Sequence, residues 1–236
     1  MDSLLDSVWP RQGIWQSFGL AHGLPDMKVE GLCIDSRGVV WAGTHDKGVA
    51  FYDGSSFACL SRQEGLPGHG VYAIRSLGNG TVLLATDDGI ARYANGGLEC
   101  LDGDHGPVLW GCATHGDRIY FGLDRLSGEP PRIAICDENS VNVVELDDQP
   151  DARGMSVTAM TLAGDGNIWC GGTHLYSYDG KEFDRKDTPG DLGQIRVLCA
   201  RETSSEIWGA ADSGLFRIRD GEFEPLQGPE TIQGMV

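Results

Sequence analysis

The residues of this sequence best suited to chemistry are six histidines and a scatter of aspartates set in glycine-rich stretches. The candidates are His22, Asp26, His45, Asp46, Lys47, His69, Asp87, Asp88, Asp102, Asp104, His105, Asp124, Arg125, His174 and Asp212, joined by the aromatic Trp110. A converging set of this kind could hold a divalent metal, or change charge between pH ~5 and 8. A histidine within reach of a carboxylate, such as His69 or His174 with Asp88, could serve as a base and acid pair. The local spacings support neither use. No HxxxH or HxH pair occurs, Asp87-Asp88-Gly89 lacks the ligand ladder of a calcium loop, and no P-loop, GxSxG, HExxH or GxGxxG is present. The plainer account is that loops are polar, so no catalytic residue, metal ion or cofactor is predicted.

Whether these side chains meet depends on the elements that carry them, and those elements repeat. An Asp-Gly-like turn recurs at Asp53, Asn95, Asp137, Asp179 and Asp220, at intervals of 42, 42, 42 and 41 residues. Upstream of each lies an apolar residue beside small ones: Trp41-Ala42-Gly43-Thr44, Leu83-Leu84-Ala85-Thr86, Tyr120-Phe121-Gly122, Trp169-Cys170-Gly171 and Trp208-Gly209-Ala210. Before each of these comes a short apolar segment led by Val29, Val71, Leu109, Val157 or Ile195. Alternating segments at Val49 to Tyr52, Ile90 to Tyr93, Ile133 to Cys136, Leu175 to Tyr178 and Leu215 to Ile218 read as third strands. Phe57, Leu98, Val141, Phe183 and Phe223 open fourth strands, and helical spacing is absent.

Four antiparallel strands per ~40 residues is the unit of a β-propeller. The expected fold is therefore all-β, with about five four-stranded antiparallel blades over residues 14–236, in repeats 29–61, 71–101, 108–145, 156–185 and 195–226. Residues 1–13 read as an N-terminal tail. Residues 14–18 resemble a lone fourth strand and 231–236 the start of a lone first strand. The blades then belong either to an imperfectly sealed five-blade ring or to a larger six- or seven-bladed one. An unsealed ring exposes a blade face and an edge, so self-association or uptake of missing blades is expected. Trp41, Trp169 and Trp208, recurring in register, read as interblade packing. The seven cysteines, odd in number and without a CxxC pair, read as small buried hydrophobes rather than disulfides or zinc ligands.

Composition narrows the partners. The 35 glycines follow no three-residue register, which excludes collagen and fits many tight turns. The formal charge of -17 repels phosphate backbones and anionic lipid, so nucleic acid is excluded as a partner. No stretch approaches the ~18 apolar residues of a spanning helix. The absent signal peptide and the free thiols point to the cytoplasm, and an extracytoplasmic place follows instead if the chain is a fragment of a sensor.

The residues Gly23-Leu24-Pro25, then Ile34-Asp35-Ser36-Arg37-Gly38-Val39-Val40-Trp41-Ala42-Gly43-Thr44, then Gly48-Val49-Ala50-Phe51-Tyr52-Asp53-Gly54 resemble the two-component regulator propeller repeat. The pattern recurs, weakened, in Gly65-Leu66-Pro67 with Leu84-Ala85-Thr86-Asp87-Asp88-Gly89, and again around Asp165-Gly166-Asn167-Ile168-Trp169 and Ile207-Trp208. Repeat three departs most, lacking the tryptophan and the Gly-Leu-Pro entry. The resemblance implies the ligand-binding part of a two-component sensor, often one responding to polysaccharide breakdown products, and it carries no catalytic residue to transfer.

The leading expectation is thus a non-enzymatic, ligand-binding sensory propeller, taking a carbohydrate, another small ligand or a protein at the mouth of its channel. Five of the six histidines, all but His115, map to the face bearing that mouth. Repeat three places its long insertion, Asp124 to Pro131, on the same rim, where specificity tends to lie. The alternatives are a lyase or glycan-active propeller enzyme with a histidine and carboxylate site, and a protein-interaction scaffold.

Overall fold

A computed structural model of the protein describes residues 16–101, 106–124, 130–146, 156–190, 192–201, 204–219 and 222–226, with the backbone alone at 109 and 110. These residues form twenty strands in five antiparallel sheets of four. Blade 1 comprises β1 (Val29–Ile34), β2 (Val40–Thr44), β3 (Val49–Tyr52) and β4 (Phe57–Leu60). Blade 2 comprises β5 (Val71–Ser76), β6 (Val82–Thr86), β7 (Gly89–Ala94) and β8 (Gly97–Cys100). Blade 3 comprises β9 (Val108–His115), β10 (Arg118–Leu123), β11 (Arg132–Cys136) and β12 (Val141–Glu145). Blade 4 comprises β13 (Ala159–Leu162), β14 (Ile168–Gly171), β15 (Leu175–Tyr178) and β16 (Phe183–Lys186). Blade 5 comprises β17 (Ile195–Ala200), β18 (Ile207–Ala211), β19 (Gly214–Arg219) and β20 (Glu222–Leu226).

Each sheet pairs its strands in sequence order, as up-and-down hairpins must. The recurring aspartate explains the turn between third and fourth strands. Asp53 Oδ1 accepts from the amides of Ser55 and Ser56 at 2.8 and 2.9 Å. Asp137 does the same for Asn139 and Ser140, and Asp179 for Lys181 and Glu182. A short carboxylate that satisfies the backbone two and three residues on is what an Asx turn requires. In blade 2 the position is Asn95, which adopts a φ of 52° and makes a tight turn instead.

First strands pack on first strands, β1 on β5, β5 on β9, β9 on β13 and β13 on β17, whereas among the described residues no such packing joins the fourth strands of neighbouring blades. The first strands therefore line the axis and the blades splay outward. The closest approach explains the small residue after each aromatic: a Cβ on Gly43 would sit 2.3 Å from the Val71 carbonyl oxygen, and one on Gly122 2.1 Å from that of Val157. Side chains between blades form the core, in layers such as Trp41, Val49, Leu66, Val71, Ile74 and Leu84 between blades 1 and 2.

Among the described residues no comparable packing joins β17 back to β1. The outward face of blade 1 accordingly leaves Leu32 and Ile34 65% and 69% exposed, and that of blade 5 exposes Val197, Trp208 and Leu215. Trp208, 43% exposed, thus corrects the expectation of three equivalent interblade tryptophans: its neighbour is Arg217, 5.5 Å from its ring, not another blade. The thiols divide likewise. Cys136 and Cys170 are buried and Cys33 and Cys112 half-buried, whereas Cys59, Cys100 and Cys199 are exposed, which corrects the expectation that all seven are buried hydrophobes.

Of the lone fourth strand expected over 14–18, residues 16–18 form no strand, and 14–15 and 231–236 lie outside the described residues. Phe18 instead packs against Tyr52 and Phe57 at 5.0 and 5.4 Å. Single 3-10 turns at Leu20–His22 and Arg62–Glu64 also appear where no helix was expected. The second is held by a capping box, with the Ser61 amide donating to Glu64 Oε2 and the Gln63 amide to Ser61 Oγ.

Candidate functional site

The loops that follow second strands, together with those that enter first strands, form one rim around the axis. The residue after β2, β6, β10 and β18 is His45, Asp87, Asp124 and Asp212. In all four blades its amide donates to the carbonyl of the residue just before the first strand, Lys28, Gly70, Pro107 or Gln194. These are one position repeated, and in three blades it carries a carboxylate already in the sequence-predicted list.

That carboxylate is used locally. Asp87 Oδ1 accepts from the amides of His69 and Gly70 at 2.8 and 3.1 Å. Asp212 accepts from the Gln194 amide at 3.0 Å and from Arg196 Nε at 3.1 Å, and these two donors hold its carboxyl below the usual range. Asp124 Oδ1 accepts from Ser156 Oγ at 2.8 Å, tying blade 3 to the entry of blade 4. The three carboxylates latch the rim, Asp87 and Asp212 by satisfying strand-entry amides and Asp124 by holding the Ser156 hydroxyl.

Blade 1 departs from this. Its residue is His45, whose Nδ1 lies 3.0 Å from Glu30 Oε1 and 3.1 Å from Lys28 Nζ. Lys28 Nζ also lies 3.0 Å from the same Glu30 oxygen. Glu30 and Tyr72 occupy the bulge after the first residue of β1 and β5, where the ladder skips from Val29 to Gly31 and from Val71 to Ala73. A bulge re-aims its side chain, and here it brings both residues to the rim, with the Tyr72 and His45 rings 6.1 Å apart edge to face. Burial, followed by the charges of Asp87 and Glu30, raises the Tyr72 hydroxyl above its ordinary value and keeps it a hydrogen-bond donor. The cluster therefore offers one carboxylate, one ammonium, one imidazole whose tautomer sets the direction of its bonds, and one aromatic face with a phenol.

The structure spreads the remaining candidates around the rim. His22 closes the entry turn, its Nδ1 accepting from the Gly19 amide at 3.0 Å, and Asp26 accepts from the Lys28 amide. Asp46 and Lys47 lie in the β2–β3 turn beside His45, and Asp88 in the β6–β7 turn, where its amide donates to Thr86 Oγ1. His174 faces Arg185 Nη2 at 3.2 Å, far round the ring from blade 1. No hydrogen bond joins Asp88 to His69 or His174, the pairing that the enzyme alternative would use, among the described residues. His105, Arg125, Asp102, Asp104 and most of the 124–131 insertion lie outside the described residues, as does the Trp110 side chain. Among the described residues no group of three or more His, Cys, Asp or Glu is placed to hold a metal ion. No helix among them is long and apolar enough to cross a membrane.

Sequence reasoning named His45 but missed Lys28, Glu30 and Tyr72. The signal was present in the β1 and β5 leaders, where a polar or aromatic residue follows the first valine, but its meaning depends on a bulge that only strand pairing reveals.

With this geometry in view, similarity to known proteins is informative. A family described as two component regulator propeller matches residues 23–46, the stretch from Gly-Leu-Pro to the β2–β3 turn. No curated protein matches the chain. Among solved structures, the extracellular domain of the hybrid two component system BT3049 from B. thetaiotaomicron superimposes with a TM-score of 0.65 at 17% identity, over 88% of this chain and 31% of that one. The GH74 xyloglucanase from Xanthomonas campestris gives 0.61 at 12% identity, over 79% and 36%. YCF48 from Cyanidioschyzon merolae gives 0.58 at 13%, over 91% and 73%. At these identities the likeness speaks for the fold alone. The chain spans 26% to 31% of the length of the sensor domains it matches. Five four-stranded blades make this chain a β-propeller whose residues 23–46, from the entry to the turn after β2, are similar to the two component regulator propeller.

Proposed function

We propose that the protein is the ligand-reading part of a sensor, non-enzymatic, with its site on the rim between blades 1 and 2. The carrying observation is the Lys28, Glu30, His45 and Tyr72 cluster, where a histidine replaces the carboxylate latch of blades 2, 3 and 5 and gathers charged and aromatic groups from two blades. Its chemistry suits a small polyhydroxylated ligand, a carbohydrate in the simplest case. Glu30 and His45 bind hydroxyls, Lys28 donates, and the Tyr72 ring offers a stacking face. The likeness to sensor ectodomains supports the same reading. The test is calorimetric titration of a panel of mono- and oligosaccharides against the protein and its Glu30→Gln, His45→Ala and Tyr72→Ala variants. Each substitution is expected to weaken binding about tenfold, the value of one lost hydrogen bond or stacking contact. Equal affinity in all three variants would remove the site from blade 1.

A second reading follows from the exposed apolar faces of blades 1 and 5. Every other blade face in the arc is covered by a neighbouring blade, so the fitting occupant is a further four-stranded blade of the same repeat. The greater length of the sensor domains that this chain resembles supports that occupant.

A further inference from the structure

The interblade space beside the second-strand tryptophan is built in two different ways in this one chain. Between blades 1 and 2, Trp41 is fully buried and its Nε1 donates to Asp35 Oδ2 at 3.1 Å. Its cross-strand partner Phe51 stacks on it at 4.9 Å, and Tyr93 of blade 2 closes on its edge at 5.0 Å. The register gives the equivalents between blades 4 and 5. Trp169 stands for Trp41 and Ser177 for Phe51, since each pair lies directly across the second and third strands. Lys186 stands for Leu60 opposite the first residue of the third strand, and Ile218 for Tyr93. Ala163 stands for Asp35, both amides closing the same turn onto Asn167 and Val39.

One exchange adds a group, since the Lys186 ammonium stands 5.8 Å over the Trp169 ring, and the other three take something away. Two aromatic rings become serine and isoleucine, and the acceptor carboxylate becomes a methyl group. What remains beside Trp169 is a cleft of about 440 Å³ that Trp169, Ser177 and Ile218 all line. Trp169 is only 7% exposed, yet its Nε1 has no hydrogen-bond partner among the described residues. A buried donor without an acceptor costs on the order of 1–3 kcal/mol, a penalty the Trp41 site avoids through Asp35. The size is within the range of small-molecule sites, roughly 300–1,000 Å³.

We propose that this cleft is a second binding site, taking a small neutral molecule that brings a carbonyl or hydroxyl oxygen to the Trp169 N–H and an apolar body to the wall of Leu175, Ile218 and Phe223. Neutrality follows from the lining, where Arg185 and Lys186 are balanced by Asp165 and Asp187, while the overall charge of -17 weighs against an anion in particular. The site owes nothing to the blade 1 cluster and stands or falls separately from it.

Indole N–H resonances of the 15N-labelled protein test it, with the Trp169 signal identified by its loss in Trp169→Phe. Cyclohexanone serves as the neutral probe and acetate as the charged one. The expected result is a saturable downfield shift of the Trp169 signal with cyclohexanone alone, while the Trp41 signal, already bonded to Asp35, stays in place. Ser177→Phe, which restores the missing ring, should abolish that shift. Ala163→Asp, which restores the missing acceptor, should do the same and covers the case in which the first variant does not fold. No Trp169 response, a uniform drift of all indoles, or a response to acetate but not cyclohexanone overturns the proposal. So does a shift that persists in either folded variant.

Discussion

Replacing Asp35 by alanine removes the group that organises the turn at the foot of blade 1. The Asp35 carboxylate is 4% exposed and accepts from the Arg37 and Val39 amides, from the Arg37 guanidinium and from the Trp41 indole. Burial opposes its ionisation, but these donors together outweigh burial and bring its pKa down to about 2 from 3.8. A shift of that size corresponds to about 2.4 kcal/mol of folding stability at neutral pH. The sign follows from the depressed native pKa: the contribution is complete above the unfolded value of 3.8 and is lost as pH falls toward 2. Alanine also leaves the buried Trp41 N–H unpaired, so the total cost at pH 7 is about 3–4 kcal/mol. Urea unfolding of wild type and Asp35→Ala at pH 7 and pH 3 measures both parts. The difference between the two proteins should shrink by about 1 kcal/mol at pH 3, where the carboxyl of the unfolded chain is already mostly protonated while the native one stays largely ionised. A difference below about 1 kcal/mol at pH 7, or one that does not change with pH, would refute the reasoning.

Other substitutions read other links. Trp41→Ala should cost ~3–5 kcal/mol in thermal or urea melts, the range for a buried aromatic, while Trp208→Ala should cost about 1 kcal/mol or less because its ring is not enclosed. Asp87→Ala should lower stability by about 1 kcal/mol and raise amide exchange at His69 and Gly70, whose N–H groups it accepts; unchanged exchange there would contradict the latch. Ellman's reagent should label Cys59, Cys100 and Cys199 in the folded protein, whereas Cys136, its thiol pushed up to about 12 by burial, and Cys170, raised by burial as well, should react only on unfolding. Leu32→Lys with Ile34→Lys should leave the melting temperature unchanged and reduce self-association in sedimentation, and no change in sedimentation would argue against a blade docking on that face.

The repeat alone determined the blades. A 42-residue period, a strand-like alternation and an aspartate turn are local signals, and each strand quartet pairs only with itself, so the hydrogen bonds that make a blade are all close in sequence. Trp41 could be placed in a buried second strand for the same reason. What lies between blades was decided by tertiary structure. Trp169 and Trp208 carry the same local pattern as Trp41, yet one borders a cleft and the other faces outward, because the outcome depends on what the next blade presents. The rim divides in the same way. His45, Asp87, Asp124 and Asp212 look alike as polar loop residues, and only the bulges of β1 and β5 and the strand-entry amides show which of them latches backbone and which gathers a site. Strand period is a property of neighbouring residues, whereas side-chain partnership across blades about 40 residues apart is a property of how the arc is wound.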